Sequence, residues 1–168
     1  KDTTASPTPT PAPSPMELVL QFHHTYSVPI RPFSDPTLDY ERMNMRMSLI
    51  AEEFAELMGA VYGPRARAII EAATAEAVAT DEGERDVIEA ADALADLVYV
   101  VYGMAIESGM NLDSVLAEVQ ASNLSKLMPD GSVKLREDGK VLKGPNFFQP
   151  NIARGLGLES PTDGSDAD

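Results

Sequence analysis

Apolar residues recur at three- and four-residue intervals along most of the chain, the period of helices with one buried face. The plainest case is "SDPTLDYERMNMRMSLIAEEFAELMGAVYG", where Met43, Met47, Ile50, Phe54, Leu57, Met58 and Val61 form one stripe. Asp35 ahead of Pro36 predicts the cap and first turn of this helix, and Gly63 and Pro64 its end. "MELVLQFHHTY" predicts a short first helix closed by "SVPIRP". "PRARAIIEAATAEAVAT" predicts an Ala-rich helix, "DEGE" a loop, and "RDVIEAADALADLVYVVYGMAIESG" the second long helix. A further helix runs from Asn111, its cap, to Lys126. The period then breaks. "PDGSVKLREDGKVLKG" carries two Asp-Gly turns around short alternating segments, which predicts a loop or small hairpin. The expected fold is an all-α helical bundle with a short, basic, turn-rich C-terminal arm.

Both ends lack this pattern. Residues 1–15 are rich in Pro, Thr, Ser and Ala, and such a segment buries too little surface to offset its ordering entropy. Residues 154–168 read as an acidic tail, which leaves 16–153 as the folded domain. The N-terminal segment has no apolar core of a signal peptide, and the absent initiator Met suggests that a few residues are missing or were removed. The longest apolar run, "LVYVVYGMAI", is too short to span a bilayer, so a cytoplasmic protein with no membrane partner is expected.

Charge narrows the field of partners. The formal net charge is -14, which argues against nucleic acid as a partner. With no cysteine there is neither a disulfide framework nor a thiolate metal site. Four of the five lysines, Lys126, Lys134, Lys140 and Lys143, nevertheless gather in the C-terminal arm, where a phosphate could find them.

The carboxylates are placed unusually for a solvated face. Glu52, Glu53 and Glu56 form an arc beside the apolar stripe of the first long helix. Glu89, Asp92 and Asp96 fall within about 60° on the second. Small neighbours, Ala90, Ala91, Ala93 and Ala95, allow another helix to come close, and beyond Asp96 the helix is apolar all round, as expected of a central, buried element. Desolvated charges cost several kcal/mol each unless compensated. The nearest cations in sequence, Arg46 and Arg85, are few, so a bound divalent ion would resolve the cost. Carboxylate-only donors suit Mg²⁺ or Mn²⁺ better than zinc. The bland alternative is that both clusters are solvated faces. A di-iron bundle would need Glu-x-x-His pairs, which His23 and His24 do not supply.

"EEFAE" followed by "EAADALADLVYVVYGMAI" resembles the EExxE…ExxD signature of the MazG-like, all-α nucleoside triphosphate pyrophosphohydrolases. That superfamily includes the dimeric dUTPases and the phosphoribosyl-ATP pyrophosphohydrolases. The resemblance continues through "NLDSVLAEVQASNLSKL" and "DGKVLKGPNFFQP", and its flavour is nearest the small single-domain proteins of the deinococcal dUTP pyrophosphohydrolase type. It implies that Glu53, Glu56, Glu89 and Asp92 are metal ligands, with Asp96 a weaker candidate. An alternative alignment puts the final Asp at Asp96 but leaves Ala93 where an acid should be. Glu52 would orient or deprotonate the attacking water. Asn123, Lys126 and Lys143 match positions that contact phosphate, while Gln21 and His23 are weaker candidates for base contacts. The implied reaction is Mg²⁺-dependent cleavage of a nucleoside triphosphate, dUTP by preference, to the monophosphate and pyrophosphate. The other class still open is a non-catalytic helical interaction or regulatory module with a structural or vestigial acidic metal site. Two long helices with an apolar central one leave much surface uncovered, so a homodimer or a higher assembly of dimers is expected.

Overall fold

A computed structural model describes residues 11–159. The ends assigned above to tails fall partly beyond these bounds: 1–10 and 160–168 lie outside the described residues. Among the described residues there are six helices and no strand: α1 Pro15–Thr25, α2 Met43–Tyr62, α3 Pro64–Ala79, α4 Val87–Glu107, α5 Leu112–Leu124 and α6 Ile152–Gly155. None is long and apolar enough to cross a membrane. The chain divides into two compact units.

The first unit takes in α1, α5, α6 and most of the C-terminal arm. Helix α1 starts with a capping box: Ser14 Oγ accepts the Glu17 backbone N–H, and the Ser14 N–H donates to Glu17 Oε2 at 2.7 Å. Tyr26, at the end of α1, is 1% exposed and packs on Phe22 with ring centroids 4.5 Å apart. Its hydroxyl is shared between the carbonyls of Asn123 (2.7 Å) and Leu124 (3.0 Å), at the C-terminal end of α5. Burial pushes the phenol up from the usual tyrosine range. Gln120 Nε2 ties α5 to α1 by donating to the Leu18 carbonyl. Ser122, also buried, donates its hydroxyl to the Phe148 carbonyl, and Arg154 on α6 forms a two-pronged pair with Glu118 on α5 at 2.7 and 2.8 Å.

The second unit is built on α2 and α3, which pack together as a helical hairpin. Gly63 alone joins them, at φ +96°, a conformation that costs glycine little. Ala55 is buried, and Gly59 lets α3 come close: a Cβ there would stand 3.0 Å from Arg67 Cβ.

Three expectations are corrected. Helix α2 begins at Met43 and not after Asp35; its cap, Arg42, makes no side-chain capping bond. The Asp35 carboxylate is taken by Arg31 at 2.7 Å, and Thr37 Oγ1 accepts from the Asp39 N–H, so the segment folds as turns. The apolar stripe of α2 is also less covered than its period implies: Met47, Ile50, Phe54, Leu57 and Val61 remain 36–53% exposed. Helix α4 is not buried either. Val98, Val100 and Ile106 are 57%, 61% and 75% exposed, and only Ala105 on this helix is buried. The cause is the same in both cases: α2 packs on α3, and α4 has no extensive packing against another helix of the chain.

The arm follows its turn chemistry. The Gly131 N–H donates to the Met128 carbonyl and the Gly139 N–H to that of Arg136, so both Asp-Gly pairs turn the chain, and residues 134–142 form a small hairpin. Removing the Tyr26 hydroxyl should loosen α1 from α5. Tyr26→Phe takes the hydroxyl donor from the Leu124 carbonyl and leaves the Asn123 carbonyl with the Lys126 N–H at 3.3 Å, a cost of about 1–3 kcal/mol. Thermal denaturation should show a midpoint lower by about 2–12 °C at this chain length.

Candidate active site

The acidic motifs sit on regular helix, where spacing dictates direction. Glu53 and Glu56 on α2, and Glu89 and Asp92 on α4, are each three residues apart, so each pair projects from one side of its helix. Asp86 positions the start of α4, its Oδ1 accepting the N–H groups of Ile88 (2.9 Å) and Glu89 (3.0 Å). Glu52, Glu53, Glu56, Glu89, Asp92 and Asp96 are all exposed within the chain. The premise that they are desolvated is therefore corrected. Nor does the single chain bring the two pairs into one cluster: among the described residues, no three His, Cys, Asp or Glu side chains converge on a metal-sized position.

Cations reach the α2 motif from other elements. Arg67 on α3 lies 3.3 Å from Glu56 and 2.8 Å from Glu71. Lys140, on the hairpin tip, lies 3.4 Å from Glu52. The cations nearest in sequence serve elsewhere or are held differently. Arg85 pairs through both guanidinium NH groups with Asp81, holding that carboxylate well below its ordinary range. Arg46 is half-buried, and burial pushes its guanidinium down.

The candidates for substrate contact lie in the first unit. The side-chain oxygen of Gln21 accepts from Gln120 Nε2 at 3.1 Å. His23 Nδ1 donates to the Pro29 carbonyl at 3.1 Å, which fixes the ring orientation. Lys126 Nζ lies 5.9 Å from the Phe22 ring centroid and Lys143 Nζ 4.4 Å from that of Phe147, both within cation–π range. Asn123 is half-buried at the end of α5, beneath the Tyr26 hydroxyl bond.

Sequence reasoning missed Arg67 and Arg42, and it placed Lys140 among the arm lysines without its Glu52 partner. Arg67 was hidden because its partners are on both its own helix and the preceding one. Lys140 carried one legible signal, a position directly after an Asp-Gly turn, but its partner is 88 residues away.

Similarity to known proteins bears on the same residues. The Phosphoribosyl-ATP pyrophosphohydrolase family pattern matches residues 19–123, a stretch that holds both acidic motifs. The chain belongs to this family. Its members are MazG-like nucleoside triphosphate pyrophosphohydrolases, enzymes of phosphoric anhydride bonds. The fold of this family member is also similar to the crystal structure of a candidate NTP pyrophosphohydrolase from Exiguobacterium sp. 255-15, with 25% identity, a TM-score of 0.64, and coverage of 86% of this chain and 94% of that one. No curated protein sequence matches the family member significantly. The matched stretch stops at Asn123, so the family pattern does not reach Lys126 or the hairpin arm.

Within that arm, the Arg136 guanidinium beside Asp138 holds the Asp138 carboxyl down at about 2, helped by the Lys140 backbone N–H. A carboxyl depressed on folding stabilises the turn above the unfolded aspartate value of about 3.9. That contribution is lost as pH falls through the folded value. Amide signals of Gly139 and Lys140 should hold their positions from neutrality down to about pH 4. They should move only between about pH 4 and 2, as followed by NMR titration.

Proposed function

We propose that the protein is a Mg²⁺-dependent nucleoside triphosphate pyrophosphohydrolase that cleaves dUTP to dUMP and pyrophosphate, clearing the nucleotide pool. The observation that carries this reading is the pair of carboxylate pairs, Glu53 with Glu56 and Glu89 with Asp92, held at i, i+3 on two long helices inside the family span. Six exposed carboxylates with no sulfur or imidazole among them fit a hard divalent ion in donor chemistry. One chain does not assemble three of them. The uncovered apolar faces of α2 and α4 are the surfaces whose burial would bring the pairs together, which favours a homodimer.

Glu53, Glu56, Glu89 and Asp92 would hold the ion, with Asp96 beside them. The ion would supply charge neutralisation for the phosphates as the anhydride bond breaks. Glu52 accepts a proton from the attacking water, which adds to the α-phosphorus as the bond to the β-phosphate oxygen breaks. Asn123, Lys126 and Lys143 bind phosphate oxygens. Gln21 and His23 contact the base; their existing bonds to Gln120 and Pro29 pre-set their orientation.

A screen of canonical and modified nucleoside triphosphates, scored for pyrophosphate, tests the reading. Release should require Mg²⁺ or Mn²⁺ and be fastest with dUTP. No release from any of them would leave the acidic motif to a non-catalytic interaction module. In the active protein, Glu53→Gln should abolish both turnover and the rise in thermal stability that metal gives. Glu52→Gln should retain metal and nucleotide affinity while turnover falls by about 10²–10⁴. Loss of metal affinity in Glu52→Gln equal to that in Glu53→Gln would make Glu52 another ligand.

Light scattering at micromolar concentration should give a dimer or a multiple of one. Val100→Glu, which places a charge in the exposed apolar face of α4, should shift the population towards monomer. A strictly monomeric wild-type protein would contradict the assembly.

A further inference from the structure

The hairpin tip, residues 135–140, groups with α2 and not with the rest of the arm. Two contacts hold it there. Lys140 Nζ lies 3.4 Å from Glu52 Oε2, and Arg42, the residue that caps α2, donates from NH2 to the Gly139 carbonyl at 3.4 Å. The tip is also braced internally. Arg136 grips Asp138, with Nε to Oδ1 at 2.9 Å, while Asp138 Oδ1 accepts the Lys140 N–H at 3.1 Å. The Arg136 N–H in turn donates to the Lys140 carbonyl at 2.8 Å. Gly139 is favoured by its φ of +84°, and a Cβ there would displace the Arg42 guanidinium that bonds its carbonyl. A turn so constrained presents Lys140 at a fixed place, beside the first acid of the α2 motif.

We infer that Lys140 is a substrate-binding cation, paired with Glu52 in the free protein and transferred to the triphosphate oxygens when nucleotide binds. The inference rests on the function proposed above and extends it to a residue outside the family span. Charge favours a further cation here, in addition to Lys126 and Lys143. A triphosphate approaching a chain of net charge -14, towards a helix with three exposed glutamates, meets repulsion that a fixed cation offsets. The existing pair does not trap the lysine, because exposed ion pairs at such distances are weak and exchange easily. A phosphate oxygen is the better partner, accepting shorter charge-assisted bonds. Exchange also uncovers Glu52 when its carboxylate is needed for the water. Arg67 remains beside Glu56, so Arg67 and Lys140 serve separate carboxylates.

Calorimetric titration with the non-hydrolysable α,β-imido analogue of dUTP, alongside steady-state kinetics, tests this. Lys140→Ala should weaken analogue binding and raise KM by about 10-fold, the range of one lost charge-assisted contact, with kcat changed less than about 3-fold. Lys140→Arg should recover most of the affinity, and Lys134→Ala should match wild type. Arg42→Ala, which removes the brace but neither charge of the pair, should raise KM in the same direction and speed tryptic cleavage after Lys140 relative to Lys134. Unchanged analogue affinity in Lys140→Ala, where wild type binds, overturns the inference and leaves the functional reading intact. So does a fall in kcat at unchanged KM, which would place the effect on Glu52 alone. Failure of wild type to bind any nucleotide removes the functional reading and the substrate role with it, while the cleavage assay still reports whether the tip is docked.

Discussion

The chain carries more apolar helix surface than it can cover by itself, and this constraint shapes the rest of the structure. Tyr26, Val28, Ala55 and Ala105 are the buried hydrophobic residues among those described. Large side chains along α2 and α4 stay open to solvent. Each half-exposed aliphatic side chain forgoes a sizeable part of the roughly 1.5–3 kcal/mol that full burial gives. A folded state with such faces uncovered is stable only where specific polar contacts hold it. In the first unit they do: the Tyr26 hydroxyl, the Ser122 hydroxyl and the Arg154–Glu118 pair each fasten one element to another. The uncovered faces lie on the same helices that carry the carboxylates, so the proposed assembly and metal binding would draw on one surface.

The acidic motif is less a pocket than a set of unfinished contacts. Glu56 is shared with Arg67 and Glu52 with Lys140, and both cations arrive from outside α2. These are weak, exposed pairs, and weakness suits them. They soften the mutual repulsion of neighbouring glutamates without competing strongly against a divalent ion or a phosphate. A buried pair at the same positions would stiffen the site and resist the exchange proposed above for Lys140.

Much of the fold was legible because helices advertise themselves locally. The limits of α3 follow from Pro64 and the Ala-rich run, and those of α5 from Asn111, whose side chain does accept the Ser114 N–H. The start of α2 was misread because Asp35–Pro36 has the composition of a helix cap, yet Arg31 competes for the same carboxylate. The four residues of α6 carry too little periodicity to be seen. Burial was misread for a different reason. Periodicity shows which face of a helix is apolar; it does not show what covers that face. The candidate site divides the same way. The carboxylates were visible because their spacing lies within one helix, whereas Arg67 on Glu56 and Lys140 on Glu52 are pairings made in space.

The joint between α2 and α3 has a consequence for how this sequence can vary. Helix α2 ends at Tyr62 and α3 begins at Pro64, so one glycine sets the phase of one helix against the other. Each extra residue continuing α3 at its start would rotate the rest by about 100°. Arg67 would then leave both Glu56 and the gap over Gly59. Insertions and deletions should therefore be rare at this point and tolerated in the 80–86 loop, where no helix phase is inherited. The single-residue joint acts as a reading frame for the acidic motif, and length changes there cost more than most changes of side chain.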